Sequence, residues 1–439
     1  MSNDGKRLKY NSWMFVVTYI FMGIVSGALF DALVTFLQLA SPETAKSFAS
    51  FMGAATFLAA GMMFFAPKIG YKKIMAVGPI ASIIALLLIN YSTSAVLLSV
   101  ATLALNIGVT LFDVVLPPYL AAYTTPENRA KFFSTAIWTN VVGMVVGTYV
   151  GGPVIVMRFA SRMGISYSSA KALTEKVDSF TAVQTAAYTS AHKDFLLMFV
   201  VISILALIPI LMIKEVKADY RTVSTTKEKQ KFDWSIFSNK YVVLFLVYTA
   251  FIRFGASLIC PYFSVFLGKL GIDRATVSTL VTSQYAAMVI FMIISPYIVK
   301  KMGQVKTLGW LSLASIPFML IIANGNLFGS AVAVAVGIAL FLRSGFMNAT
   351  NPVANSLPME FVSKDLRPAY NSVIFVVQGV MQILAGMFTK GFLFKTNAGY
   401  SIAYYITAVL YTIACVFLLV VFTKKYNRSE HSDEVEKVA

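Results

Sequence analysis

The sequence predicts an all-α integral membrane protein of twelve transmembrane helices in two pseudo-symmetric six-helix halves, with both termini cytoplasmic. Three observations carry that prediction. Of the 439 residues, 58% are hydrophobic and only 13% are charged, a balance suited to lipid rather than to a water-facing surface. The charged residues fall in short islands separated by apolar stretches of about 18–25 residues, each long enough at ~1.5 Å per residue to cross a ~30 Å hydrocarbon core. Lys and Arg are unevenly shared among those islands: with both termini inside, cytoplasmic segments hold 24 of the 36 and outer segments 10, counting Lys390 at the outer edge of its span.

In chain order the spans are 13–37, 48–66, 74–91, 95–123, 132–157, 195–213, 241–266, 276–299, 307–323, 327–358, 369–390 and 400–423. Residues 1–213 form the first half, 214–240 a cytoplasmic linker, 241–423 the second half and 424–439 a cytoplasmic tail. The apolar run after Lys6, Arg7 and Lys9 lacks a small-residue cleavage site close behind it, so the first span reads as its own signal anchor. A long outer connection, 158–194, carries Arg162, Lys171, Glu175, Lys176, Asp178 and His192; it reads as a solvated cap or, alternatively, as a lid over an outer entrance. The tail KKYNRSEHSDEVEKVA has the composition of a solvated, disordered end.

Several function classes lose support at once. The formal charge of +17 is a topology signal, and with no soluble domain to present it, phospholipid headgroups are better partners than nucleic acid. Cys260 and Cys415 lie inside spans with no CxxC or metal-ligand spacing and read as reduced packing residues. Both histidines, His192 and His431, fall in extramembrane segments, and neither a metal nor a cofactor is called for. No phosphate-binding G-x4-G-K-[ST] loop, HExxH or GxSxG is present, so the expectation is no enzyme and no ATP-driven pump. Energy must come from a gradient or from the substrate itself.

The halves carry an internal repeat. KIGYKK at 68–73 recurs as KMGQVK at 301–306, and ENRAKFFS at 127–134 as DLRPAYNS at 365–372. Arg129 and Arg367 are thus 238 positions apart, and the same offset pairs Asn140 with Gln378 and Asp113 with Asn351. The conformational loops are therefore marked by Lys68, Gly70, Lys72 and Arg129 in one half and Lys301, Gly303 and Arg367 in the other. The segment MFFAPKIGYKK resembles the G-x-x-x-D-[RK]-x-G-[RK]-[RK] loop of the major facilitator superfamily of secondary transporters. It keeps Lys68, Gly70 and Lys72, with Pro67 at the acidic position and Met63 at the first glycine. In span five, GMVVGTYVGGP resembles the glycine-proline motif of that superfamily's antiporters, without the glycine pair after the proline. Read physically, Gly143, Gly147 and Gly151 line one stripe and let another helix approach closely; the contact is either static packing or a rocking surface between the halves. Pro153 is expected to bend or end the helix.

The resemblance implies the superfamily's fold, alternating access, and a central cavity lined by spans one, four, seven and ten. Those spans hold the four intramembrane ions: Asp31, Asp113, Arg253 and Arg343. Each would cost at least ~2.5–3.5 kcal/mol facing lipid, so each should face water or another ion. Pairing of the two acids with the two arginines is the favoured arrangement, as a structural lock, a proton-responsive gate or a substrate-binding charge. Amides follow the same faces: Asn348, Asn351 and Asn355 on span ten, Asn106 with Thr110 and Asp113 on span four, Gln378 and Gln382 on span eleven, Asn140 on span five and Gln284–Tyr285 on span eight. Together they suit a polar solute. Pro117–Pro118 are expected to leave span four irregular near its cytoplasmic end.

The reading is a monomeric, multi-pass plasma-membrane transporter that moves a small-molecule substrate by alternating access, coupled to protons. The span-five motif favours antiport export of a drug or metabolite, and the amide-rich second half favours the alternative, proton-coupled uptake of a sugar or other polar metabolite. A non-transporting sensor or scaffold is the alternative of another class.

Overall fold

A computed structural model describes residues 3–124, 126–219, 234–362 and 366–427. All regular structure among them is helical. Among the described residues, eleven helices are long and apolar enough to cross a membrane. The expected second span, 48–66, instead forms a shorter fifteen-residue helix, Phe48–Met62, followed by a 3-10 turn over Met63–Phe65. We number the helices α1 (Asp4–Ala40), α2 (Phe48–Met62), α3 (Tyr71–Tyr91), α4 (Ala95–Tyr123), α5 (Pro126–Met163) and α6 (Ala182–Met212). After the linker come α7 (Lys240–Ile259), α8 (Arg274–Met302), α9 (Gln304–Ala323), α10 (Val332–Ala349), α11 (Arg367–Gly391) and α12 (Ala398–Tyr426).

Local chemistry sets several starts. Thr181 and Gln184 form a reciprocal capping box at α6, each side chain bonding the other's backbone N–H at 3.2 and 2.8 Å. Asn239 caps α7 through Tyr241 N–H at 3.0 Å. Gly70 and Gly303, with φ of 90° and 81°, turn the chain into α3 and α9, a backbone state that disfavours any side chain. The repeat in the two loops is thus a repeat of one left-handed turn.

The chain separates into two compact units, Met1–Glu228 with Pro261–Thr282, and Lys229–Cys260 with Ser283–Ala439. Residues 261–282 follow the linker in sequence but pack with α1–α6. Within unit 1, α1 and α5 lie backbone to backbone: a Cβ on Gly143 would sit 2.4 Å from the Ile20 carbonyl oxygen, and one on Gly147 2.0 Å from that of Ile24. With apolar lipid as the alternative solvent, such close approach supplies dispersion contact where hydrophobic burial supplies little. These two glycines are a packing stripe inside one unit rather than a rocking contact between halves.

The prolines end neither of their helices: α4 continues through Pro117–Pro118 to Tyr123, and α5 through Pro153 to Met163, as transmembrane segments tolerate. The outer connection is shorter than 158–194, since α5 runs to Met163 and α6 begins at Ala182; between them lie the helix Tyr167–Leu173 and a 3-10 segment, Thr174–Ser179. His192 is buried within α6, with Nδ1 at 3.0 Å from the Tyr188 carbonyl oxygen.

Candidate functional site

The two intramembrane carboxylates of unit 1 have different surroundings. Asp31 lies in a π-helical turn of α1, Leu29–Leu33, a local widening that recurs at functional positions. Its carboxylate is fully buried and accepts four hydrogen bonds: Arg274 Nη1 at 2.8 Å and Nη2 at 2.6 Å, Ser264 Oγ at 2.5 Å and Ser278 Oγ at 2.7 Å. A bidentate guanidinium and two hydroxyls satisfy a buried carboxylate in full. The glycines of α5 make room for it: a Cβ on Gly151 would lie 3.3 Å from Asp31 Oδ2, and one on Gly152 2.6 Å from the Arg274 carbonyl oxygen. Thr174 Oγ1 accepts the Arg274 backbone N–H at 3.0 Å, and Lys171–Asp273 and Lys269–Asp178 face each other at 3.7 and 3.8 Å. The connection between α5 and α6 is thereby tied to the 261–282 segment.

The expected pairing of the acids with Arg253 and Arg343 is corrected for Asp31, because a third arginine, Arg274, bonds both of its carboxylate oxygens. Arg274 had been one basic residue in a short outer loop, an ordinary place for one; only its position at the first residue of α8 brings it to α1.

Asp113, on α4, has no cation in any ion pair among the described residues. Tyr19 Oη of α1 donates to its Oδ1 at 2.5 Å, and Asn140 Nδ2 of α5 donates to the Tyr19 carbonyl at 3.0 Å. Asp113 is solvent-exposed while Tyr19 is buried. Asn106, two turns away, is buried and bonds the Thr102 carbonyl of its own helix at 2.8 Å, so it does not share the Asp113 surface.

In unit 2 the arginines meet neutral groups. Arg253 Nη2 of α7 donates to Gln378 Oε1 of α11 at 2.6 Å, and buried Arg343 of α10 donates from Nη2 to Cys260 Sγ at 3.5 Å. Ser344 joins Gln284 at 3.3 Å and accepts from Asn348 Nδ2 at 2.8 Å, and Asn351 Nδ2 donates to Asn348 Oδ1 at 2.9 Å. α10 ends at Ala349, and Asn351–Ser356 form a separate short helix with Pro352 in its first turn. Tyr285 and Gln382 are buried and Asn355 is exposed.

The loop residues act locally. Lys72 Nζ caps the end of α6 through the Leu211 and Ile213 carbonyls at 2.6 and 2.9 Å, while Glu215 Oε1 accepts the Tyr71 and Lys72 N–H groups at 2.8 and 3.1 Å. Burial pushes the Glu215 carboxyl above its usual range, outweighing those two donors. Burial would also raise Asp219, but the Arg7 guanidinium, at 2.7 Å, holds it below the ordinary value. Across the repeat, Asn427 Oδ1 accepts the Lys306 N–H at 2.9 Å, a counterpart to Glu215. Arg367 Nε donates to the Met359 carbonyl at 2.9 Å, Lys68 and Lys301 are exposed, and the side chain of Arg129 lies outside the described residues.

The family model of the Major Facilitator Superfamily matches residues 48–386 and, overlapping it, 245–438. The chain belongs to the major facilitator superfamily. Solved structures share the superfamily fold. The nucleoside transporter NupG is similar with a TM-score of 0.71 at 11% identity, over 94% of this chain and 99% of that one. A D-xylose-proton symporter gives 0.72 at 14%, over 97% and 99%, and the fucose:proton symporter FucP of E. coli gives 0.60 at 15%, over 94% and 99%. No curated protein matches by sequence. As a superfamily member the chain is a multi-pass membrane protein with a transporter fold.

Proposed function

We propose that this superfamily member is a secondary transporter of a small polar solute, driven by protons, with Asp113 as the proton-carrying group. The observation that carries this reading is the contrast between two carboxylates on the same unit. Asp31 is buried against Arg274, whereas Asp113 is exposed and, among the described residues, accepts from a neutral tyrosine hydroxyl and joins no ion pair. A carboxylate facing an aqueous path can load and release a proton, whereas one whose oxygens are filled by a guanidinium and two hydroxyls is built to hold elements together. Asp31, Arg274, Ser264 and Ser278 then serve as a latch on the outer side, whose release frees residues 261–282 during alternating access. In this reading Phe48–Met62 completes twelve spans, both termini and the 214–240 linker lie in the cytoplasm, and the protein resides in the plasma membrane.

Symport is preferred over export. The case for export rested on the span-five glycines, and helix packing accounts for Gly143 and Gly147 without it. The named sugar-proton symporters with this fold support the same direction. The test is gradient-driven uptake into reconstituted vesicles with an acidic exterior, screened against sugars, nucleosides, carboxylates and phosphate esters. Accumulation abolished by a protonophore is the expected result; accumulation only with the gradient reversed would replace symport with antiport.

A further inference from the structure

The repeated halves treat the same place differently. In unit 1 the chain beyond α6 brings its own acids back to the basic residues: Asp219 pairs with Arg7 at 2.7 Å, and Glu215 accepts the Tyr71 and Lys72 N–H groups. In unit 2 the corresponding place beyond α12 is taken by Asn427, which bonds the Lys306 N–H and the Met302 carbonyl at 2.9 Å each and carries no charge. Residues 234–260 and 283–427 hold twelve Lys and Arg against two acids, Glu360 and Asp365. Glu360 accepts from Gln304 Nε2 at 3.0 Å, and Asp365 lies outside the described residues.

Lysines gather where the acids are missing. Lys240 is the first residue of α7 and Lys425 the last but one of α12, so both stand at the same end of unit 2, at the edge of a membrane-spanning segment. Both lie over the ring of Tyr241, at 5.4 and 4.6 Å from its centroid, and Lys425 also lies 5.4 Å from that of Tyr426. The two rings meet edge to face at 5.1 Å. Such contacts hold a lysine in place without neutralising it. Lys424, and Lys306 beside Asn427, join them at this end; all four lysines are exposed, and no ion pair among the described residues includes any of them. A lone surface lysine needs only water. Four at one edge, with tyrosine rings among them, make a basic, aromatic surface at the depth of lipid headgroups.

We propose that this edge of unit 2 binds the headgroup of an anionic phospholipid, with its phosphate taken by Lys240 and Lys425. The lipid supplies from outside the negative charge that Asp219 supplies within unit 1, and ties the start of α7 to the end of α12. A membrane lipid is the occupant that the position favours, because its acyl chains would lie along the two spans that carry the lysines. In the proposed topology this edge is cytoplasmic; the site itself does not depend on that orientation.

The experiment is thermal unfolding of the purified full chain in a neutral detergent, titrated separately with dioleoyl phosphatidylglycerol, dioleoyl phosphatidylcholine and glycerol 3-phosphate. Phosphatidylglycerol should raise the melting temperature saturably and above the other two. Combining Lys240→Gln with Lys425→Gln should raise the half-saturating phosphatidylglycerol concentration about 10- to 30-fold, the loss expected for two lysines near a charged headgroup. Combining Lys9→Gln with Lys73→Gln removes as many exposed charges from unit 1 and should leave it unchanged. Lys240→Arg with Lys425→Arg keeps the charge and should keep the response, which separates lost binding from lost folding. No preference for phosphatidylglycerol, an equal loss in both glutamine pairs, or a response to glycerol 3-phosphate as strong as to the lipid overturns the proposal. So does a phosphatidylglycerol response that emerges only when Glu430, Asp433, Glu434 and Glu436 are replaced by their amides, which would assign the patch to the chain's own acidic tail.

Discussion

At the scale of single residues, the account turns on what each buried or intramembrane charge touches. Asp31 and Arg274 form a satisfied buried pair, so removing one partner leaves the other uncompensated at a cost of about 3–5 kcal/mol. Asp31→Asn or Arg274→Gln should therefore destabilise the packing of residues 261–282. A cysteine at buried Ser264, in a background without Cys260 and Cys415, should become at least about tenfold more reactive to a hydrophilic thiol reagent. Combining Asp31→Asn with Arg274→Gln should recover most of the protection, and unchanged reactivity in the single variants would remove the latch. Glu215 offers a test with pH. Its folded carboxyl titrates above the usual range, so the ionised form is disfavoured by folding and stability is lost as pH rises through that raised value. Glu215→Gln should thus raise the melting temperature at neutral pH, with the gain vanishing as pH falls toward 4, the ordinary glutamate range. A lower melting temperature at neutral pH would mean that the two N–H donors outweigh burial.

At the scale of elements, helix existence was legible because hydrophobic length survives any packing, but partners were not. Eleven spans follow from apolar runs, whereas α2 is shorter than its run, since the 3-10 turn at Met63–Phe65 and Pro67 intervene before Gly70. The glycine spacing on α5 showed a close contact but not with what. Spacing fixes a face, and only the fold says that α1 lies against it, bringing Gly23 and Gly27 to within 2.3 Å, at a built Cβ, of the Asn140 and Met144 carbonyls. For the same reason Asp31 and Asp113 were recognisable as functional candidates while Arg274, Tyr19 and the two serines were not. A charge inside a span is anomalous on its own; an arginine at a helix start, or a tyrosine among apolar neighbours, becomes informative only beside its partner. The packing reading predicts that Gly147→Ala, whose Cβ would meet the Ile24 oxygen at 2.0 Å, destabilises by about 1–3 kcal/mol, while Gly61→Ala, with nothing within 4 Å, does not. Equal thermal stabilities for the two variants would contradict it.

At the scale of the whole molecule, the uneven sharing of Lys and Arg between alternate loops, a left-handed glycine turn repeated in both halves and a transporter fold support the proposed account, a solute moved by alternating access with the driving proton on unit 1. The topology is checked by thiol labelling in intact cells, where Ser169→Cys should react with an impermeant reagent and Lys217→Cys should not; the reverse pattern would invert the orientation. In the proposed mechanism Asp113 is the group that carries the proton. The direct measurement is uptake by Asp113→Asn in vesicles, using whichever solute the wild type accumulates under an imposed pH gradient. The amide keeps the shape and the Tyr19 contact but cannot ionise. The account predicts that accumulation against a gradient is lost while exchange of solute across the membrane persists; wild-type accumulation by this variant would show that the proton travels elsewhere.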